Sequence, residues 1–171
     1  MVKLRPGRAY RGYKLPYTRK SKYKTKNYIK IAQRPKLTQY HSGNTKKEFD
    51  SKVFLVSEKT LILRDNALEA ARIVANKFLT DSITDQNFHI VVVSYPHHVL
   101  REHKLATGAG ADRFSSGMQK SFGKPIGLAA RLNAGTRIFE IHVDKNNLKA
   151  AKTAAFKMSK KLGIQTRVVV A

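Results

Sequence analysis

The first 36 residues hold thirteen Lys or Arg side chains and no Asp or Glu, with five tyrosines threaded among them from Tyr10 to Tyr28. Such a segment cannot bury itself in water. Its charges repel one another, and it has too little Leu, Ile, Val or Phe to offset the roughly 1 to 2 kcal/mol per residue that ordering a backbone costs. It needs a polyanion. The tyrosine rings offer flat faces for unpaired bases or sugars, and the interleaved cations can follow phosphates, so a nucleic acid is the leading partner and RNA comes ahead of DNA. The residues assigned to that contact are Arg5, Arg8, Tyr10, Arg11, Tyr13, Lys14, Tyr17, Arg19, Lys20, Lys22, Tyr23, Lys24, Lys26, Lys30, Arg34 and Lys36.

The whole chain agrees in sign: 34 Lys plus Arg against 11 Asp plus Glu give a formal charge of +23 over 171 residues. Basic charge alone would also suit DNA, heparin or anionic lipid, because each rewards neutralisation and counterion release. A membrane is the weakest of these. No apolar run approaches the roughly 20 residues of a spanning helix, and no short apolar core with a cleavage site follows the basic start. A cytosolic setting is expected. There is no cysteine, so disulfides, thiolate metal sites and a cysteine nucleophile are excluded.

The sequence divides into a basic arm, residues 1–48, and a globular unit, residues 49–171, large enough for one core. Val53 to Val56 and Leu61 to Leu63 read as strands. A helix follows, capped by Asp65 or Asn66, with Leu68, Ala71, Val74 or Ala75, Phe78 and Leu79 on its apolar face and Glu69, Arg72, Asn76 and Lys77 opposite. His89 to Tyr95, a β-branched run stopped by Pro96, reads as a central strand buried on both faces. Arg137 to Val143 alternates as a half-buried strand would, with Phe139, Ile141 and Val143 on one side and Ile138, Glu140 and His142 on the other. A second helix carries Leu148, Ala151, Ala155, Met158 and Leu162 inward, with capping side chains from Asp144 to Asn147 and a left-handed stop at Gly163; its other face is Lys149, Lys152, Lys157, Lys160 and Lys161. Arg167 to Val170 closes the chain as a strand. The fold class is α+β: a two-layer sandwich of mainly antiparallel sheet with two helices on one face, for which a ferredoxin-like arrangement is the nearest generic alternative.

Between Arg101 and Gly127 the periodicity disappears, and five of the ten glycines fall there. A structureless stretch longer than about 12 to 15 residues inside a compact domain is usually functional or disordered. Glycines let the backbone approach a ligand, and Arg101, Lys104, Arg113, Lys120 and Lys124 point to one carrying phosphate. Enzyme motifs fail on inspection. Gly108, Gly110 and Asp112 begin like a dinucleotide fingerprint, but Arg113 stands where the third glycine belongs. Ser115 and Ser116 lack the glycine two positions earlier that marks a nucleophile elbow. His97, His98 and His103 make a poor zinc site without cysteine, and phosphate contact or plain exposure suits them better. No catalytic residues, metal, cofactor or small-molecule substrate are expected.

The arm MVKLRPGRAYRGYKLPYTRKS, the helix LRDNALEAARIVANKFL, the loop GADRFSSGMQKSFGKPIGLAARLNAGT and the terminal stretch EIHVDKNNLKAAKTAAFKMSKKLGIQTRVVV closely resemble a universal family of large-subunit ribosomal proteins, called L-ten-e in archaea and L-sixteen in bacteria. The resemblance covers essentially the whole chain. A longer internal loop than the bacterial one, and an end at Ala171 without the extension typical of eukaryotic relatives, resemble the archaeal members. The resemblance implies an α/β hammerhead fold, a place near the base of the central protuberance, contact with large-subunit rRNA and no enzymatic activity. It further implies that the internal loop points to the peptidyl transferase centre and the acceptor ends of tRNA. Arg101, Lys104, Arg113, Gln119, Lys120 and Lys124 are then the tRNA-proximal residues, and 5S rRNA and neighbouring ribosomal proteins are further candidate partners. The alternative is a free-standing RNA- or DNA-binding protein, such as an RNA chaperone or chromatin factor, that uses the same arm.

Overall fold

The computed structural model describes residues 4–12, 34–103, 108–114 and 123–171. In chain order its strands and helices are β1 (His41–Gly43), β2 (Ser51–Ser57), β3 (Leu61–Arg64), α1 (Asp65–Ile83), β4 (Phe88–Val92), β5 (His98–Glu102), the single turn α2 (Ala111–Phe114), β6 (Lys124–Leu132), β7 (Arg137–Val143), α3 (Leu148–Leu162) and β8 (Thr166–Val170). Five strands form one sheet in the order β1-β4-β7-β2-β8, and three form a second in the order β3-β6-β5; every pairing is antiparallel. The expected α+β class is therefore present. Within the larger sheet, β2-α1-β4 and β7-α3-β8 give the strand order β4-β7-β2-β8, which is the ferredoxin-like arrangement with β1 added at one edge.

The periodic elements form for the reasons their sequences give. On β7, Phe139, Ile141 and Val143 are buried and Glu140 and His142 are half-buried, but Ile138, expected with the latter two, is fully buried in the main core. On α3, Ala151, Ala154, Ala155, Met158 and Leu162 are buried, and Gly163 ends the helix at φ 61°, a left-handed conformation that costs glycine nothing. Burying Met158 and Leu162 contributes about 1.5 to 3 kcal/mol each. Leu68, Ala71, Ala75 and Leu79 of α1 join the same core, with Phe78 partly buried at its margin.

Several details differ from expectation. Neither Arg64 nor Asn147, the residues just before the two long helices, makes a side-chain cap, although Asp65 Oδ1 accepts the Asn66 N–H at 2.8 Å in the first turn of α1. Asp144 to Asn147 leads into α3 through a 3-10 turn, Lys145–Asn147, and Asp144 instead pairs with Lys47 at 2.7 Å. β4 stops at Val92, alternates between buried and half-buried residues, and lies next to the edge; β7 holds the central place. The buried side chains of β4 are Phe88, Ile90 and Val92, whereas Val93 and Tyr95 beyond it are exposed. Ordered structure also reaches back past Phe49. Leu37 is a buried member of the main core, and β1 pairs with β4.

The largest difference is the second sheet. Its β5 and β6 occupy the two ends of the stretch that carries no legible period, leaving residues 103–123 as the connection between them. Through Leu61, Leu63, Ala130 and Leu132 this sheet joins the main core. Ile62, Leu100 and Ala129 pack against Tyr10, while Val99 and Leu128 form a separate buried pair. His98 on β5 is buried as well, neither exposed nor placed for phosphate; burial foremost, then the positive charge of Arg131, lowers its pKa to about 4, so its ring stays neutral down to that pH.

Candidate nucleic-acid interface

The arm is rooted in the domain at two places. At the first, a 3-10 turn over Gly7–Tyr10 lays Tyr10 on the second sheet, leaving it only 3% exposed. The guanidinium of Arg64 lies 4.8 Å from the Tyr10 ring centroid and that of Arg5 lies 5.4 Å away, both within cation–π range. Tyr10 therefore has no open face for a base: it plugs the small core and holds the arm down. One residue on, Arg11 Nη2 donates to the Gly163 carbonyl at 2.6 Å, at the C-terminal end of α3 where a helix favours a cation.

At the second root, α1 clips the chain from Lys36 to Ser42 with three side chains at positions i, i+4 and i+7 of one face. Asp65 Oδ2 accepts the Lys36 N–H at 2.9 Å. Glu69 accepts the Thr38 hydroxyl at 2.9 Å and, with longer geometry, the Thr38 N–H at 3.4 Å. Arg72, expected on the solvent face, is buried instead; it donates to both Glu69 carboxylate oxygens at 2.6 and 3.0 Å and to Ser42 Oγ at 3.0 Å. The hydrogen-bonded Arg72 guanidinium holds the Glu69 carboxyl below the usual carboxylate range, and Glu69 raises the Arg72 pKa in return. A charge of this kind is tolerated inside because every hydrogen-bonding direction is met. The polar spacing Asp65, Glu69, Arg72 was the available signal, but the partners sit about thirty residues earlier in sequence.

Of the other arm residues assigned to nucleic acid, Arg5, Arg8, Arg11, Arg34 and Lys36 are exposed. Tyr13, Lys14, Tyr17, Arg19, Lys20, Lys22, Tyr23, Lys24, Lys26 and Lys30 lie outside the described residues.

The internal loop springs from the end of the β5–β6 hairpin, where Glu102 pairs with Lys124. Its neck is narrow. A Cβ on Gly123 would come within 2.5 Å of the Glu102 carbonyl oxygen and the His103 nitrogen, both of them backbone atoms, so only glycine closes the hairpin there. Arg101, half-buried, donates from Nη1 to the Gly123 carbonyl at 3.1 Å and so braces this neck. Arg113 is exposed on α2 and Lys124 is exposed at the first position of β6. Lys104, Gln119 and Lys120 lie outside the described residues. The basic side chains thus divide into one that holds the neck and at least two that face solvent.

Nothing in this geometry assembles a reaction centre. His41, His89 and His142 do come together on adjacent strands, with ring centroids 5.3 and 5.4 Å apart. Their nitrogens face each other rather than a shared ion: His41 Nδ1 and His89 Nε2 are 3.2 Å apart, and burial foremost keeps His89 below its ordinary pKa. Among the described residues no group of three or more His, Cys, Asp or Glu has metal-binding geometry. Among them, too, no helix is long and apolar enough to cross a membrane.

Comparison with known proteins bears directly on this interface. A family model described as "Ribosomal protein L16p/L10e" matches residues 14–169. Large ribosomal subunit protein uL16 of Staphylothermus marinus is 42% identical over 167 residues, covering 97% of this chain and 92% of the relative. The protein of the same name from Sulfolobus acidocaldarius is 44% identical, covering 98% and 93%. That from Archaeoglobus fulgidus is 39% identical, covering 97% and 92%.

Proposed function

Because the chain belongs to the L16p/L10e family of ribosomal proteins, structural constituents of the large subunit rather than enzymes, we propose that it anchors on large-subunit rRNA through its arm and extends its internal loop towards the acceptor ends of tRNA near the peptidyl transferase centre. The observation that carries this reading is the pair of roots. Arg11 is tied to Gly163 and Lys36 to Asp65, so residues 13–33, with seven Lys or Arg and no acid, run between two fixed ends on one domain. A tether fixed at both ends loses less entropy on binding than a free tail, so the domain pre-organises the arm for one site. The loop is built on the same plan: a neck locked by Gly123 and Arg101 holds the ends, Lys124 stands at its base, and Arg113 and Lys120 supply charge beyond it.

Sedimentation with large subunits in rising salt tests the anchor. The wild-type chain should travel with the subunit at moderately high salt. Changing Arg5, Arg8 and Arg19 together to Ala should lower the magnitude of the salt slope of rRNA binding by about 2 to 3, at about 0.7 to 0.9 per lost phosphate contact. Release of the wild-type chain at low salt would instead favour a free-standing RNA- or DNA-binding protein.

A further inference from the structure

We infer that the outer face of α3 is a second RNA-binding surface, on which Lys149, Lys152 and Lys160 contact backbone phosphates while Phe156 stacks on an unpaired base. At about 100° per residue, Lys149, Lys152, Phe156 and Lys160 fall within one sector of about 80°, on the side of the helix turned away from the buried Ala151, Ala154, Ala155, Met158 and Leu162. All four are exposed, Phe156 to 58%, and the Lys160 ammonium stands 4.8 Å from its ring centroid. Lys157 is not part of the stripe; it turns to Phe78 on α1, 3.5 Å from that ring.

Among the described residues no acid pairs with these lysines. The helix contains no Asp or Glu, so none of its lysines has an i+3 or i+4 acidic partner. Lys160 lies in the last turn, where the helix dipole favours a cation, but Lys149 is the second residue of α3, in the first turn, where the dipole disfavours one. The acid just before the helix, Asp144, is already paired with Lys47. An external polyanion supplies what is missing. A large aromatic ring left open among the lysines narrows the polyanion to one with flat faces, which RNA has and heparin or a phospholipid surface lacks. The arm is rooted at the C-terminal end of the same helix, where Arg11 is bonded to the Gly163 carbonyl.

This inference rests on the ribosomal reading, and the experiment separates the two. The full-length chain is titrated against large-subunit rRNA over a range of potassium concentrations, as wild type, as Lys149→Gln/Lys152→Gln/Lys160→Gln, as Phe156→Ala, as Phe156→Trp and as the triple arginine variant of the arm. The triple lysine variant should lower the magnitude of the salt slope by about 2 to 3, and Phe156→Ala should weaken binding by about five- to a hundredfold, with Phe156→Trp restoring it. Melting temperatures should stay near wild type, because every altered side chain is exposed. An unchanged slope in the lysine variant, or wild-type affinity in Phe156→Ala, overturns the inference while leaving the anchoring role of the arm in place. Loss of a neighbouring ribosomal protein from the particle, with RNA affinity intact, overturns it in favour of a protein contact. If the arm variant also binds with the wild-type slope, the proposed function itself fails.

Discussion

Subunits carrying a chain in which residues 104–122 are replaced by an Asn-Gly turn should assemble normally yet form peptide bonds at least about tenfold more slowly, a barrier increase of about 1.4 kcal/mol. The fold has no need of those residues. β5 and β6 pair from His98↔Ala129 to Glu102↔Lys124 without them, and a two-residue turn of that sequence suits the right-handed twist of an antiparallel pair. The arm roots at Tyr10, Arg11 and Lys36 are also untouched, so uptake into the subunit should match wild type. What is lost is Arg113, Gln119 and Lys120, which the proposed function brings to tRNA. The assay is peptide-bond formation and tRNA affinity on purified subunits at equal occupancy. Full activity would reduce the loop to a solvated excursion of the β5–β6 hairpin.

Tyr10→Ala should cost about 3 kcal/mol of arm docking, whereas Tyr10→Phe should cost little or nothing. The ring is 3% exposed between the second sheet and two guanidinium groups, so truncation opens a cavity beside Ile62, Leu100 and Ala129 and removes both cation–π contacts. Its buried hydroxyl has no hydrogen-bond partner among the described residues, and replacing such a group by hydrogen removes a desolvation cost without breaking a bond. Amide exchange over residues 7–12 in the RNA-free protein reads the difference. Protection there should vanish in Tyr10→Ala and persist in Tyr10→Phe. Equal, rapid exchange in wild type and both variants would mean that the first turn of the arm is not docked at all.

Elements with one clean period were legible from sequence. β7 and α3 coincide with the alternation of Phe139, Ile141 and Val143 and with the stripe from Leu148 to Leu162, because each has one face in the core and one outside. β6 was not legible, for a physical reason: KPIGLAARL mixes Pro, Gly and Ala, all poor strand formers, and it holds its place by pairing on both sides with β3 and β5. Arg72 and Tyr10 were misjudged from residue type. A charge was placed outward and a tyrosine in a basic run was placed on a base, yet Glu69 and Ser42 in the first case, and Arg64 and the small core in the second, make burial favourable. Such partners lie far along the chain, where composition and period carry no information. The anionic partner, by contrast, followed from charge alone, since no arrangement of 34 basic and 11 acidic residues neutralises itself.

In the proposed function, a domain rooted at Arg11 and Lys36 presents residues 13–33 to rRNA and the 103–123 loop to tRNA. A density map of the large subunit carrying this chain, recorded with and without bound tRNA, tests it most directly. Residues 13–33 should be enclosed by large-subunit rRNA in both maps, with Arg113, Lys120 and Lys124 beside the tRNA acceptor end when tRNA is present. An arm lying in solvent, or a loop directed away from tRNA, would contradict it.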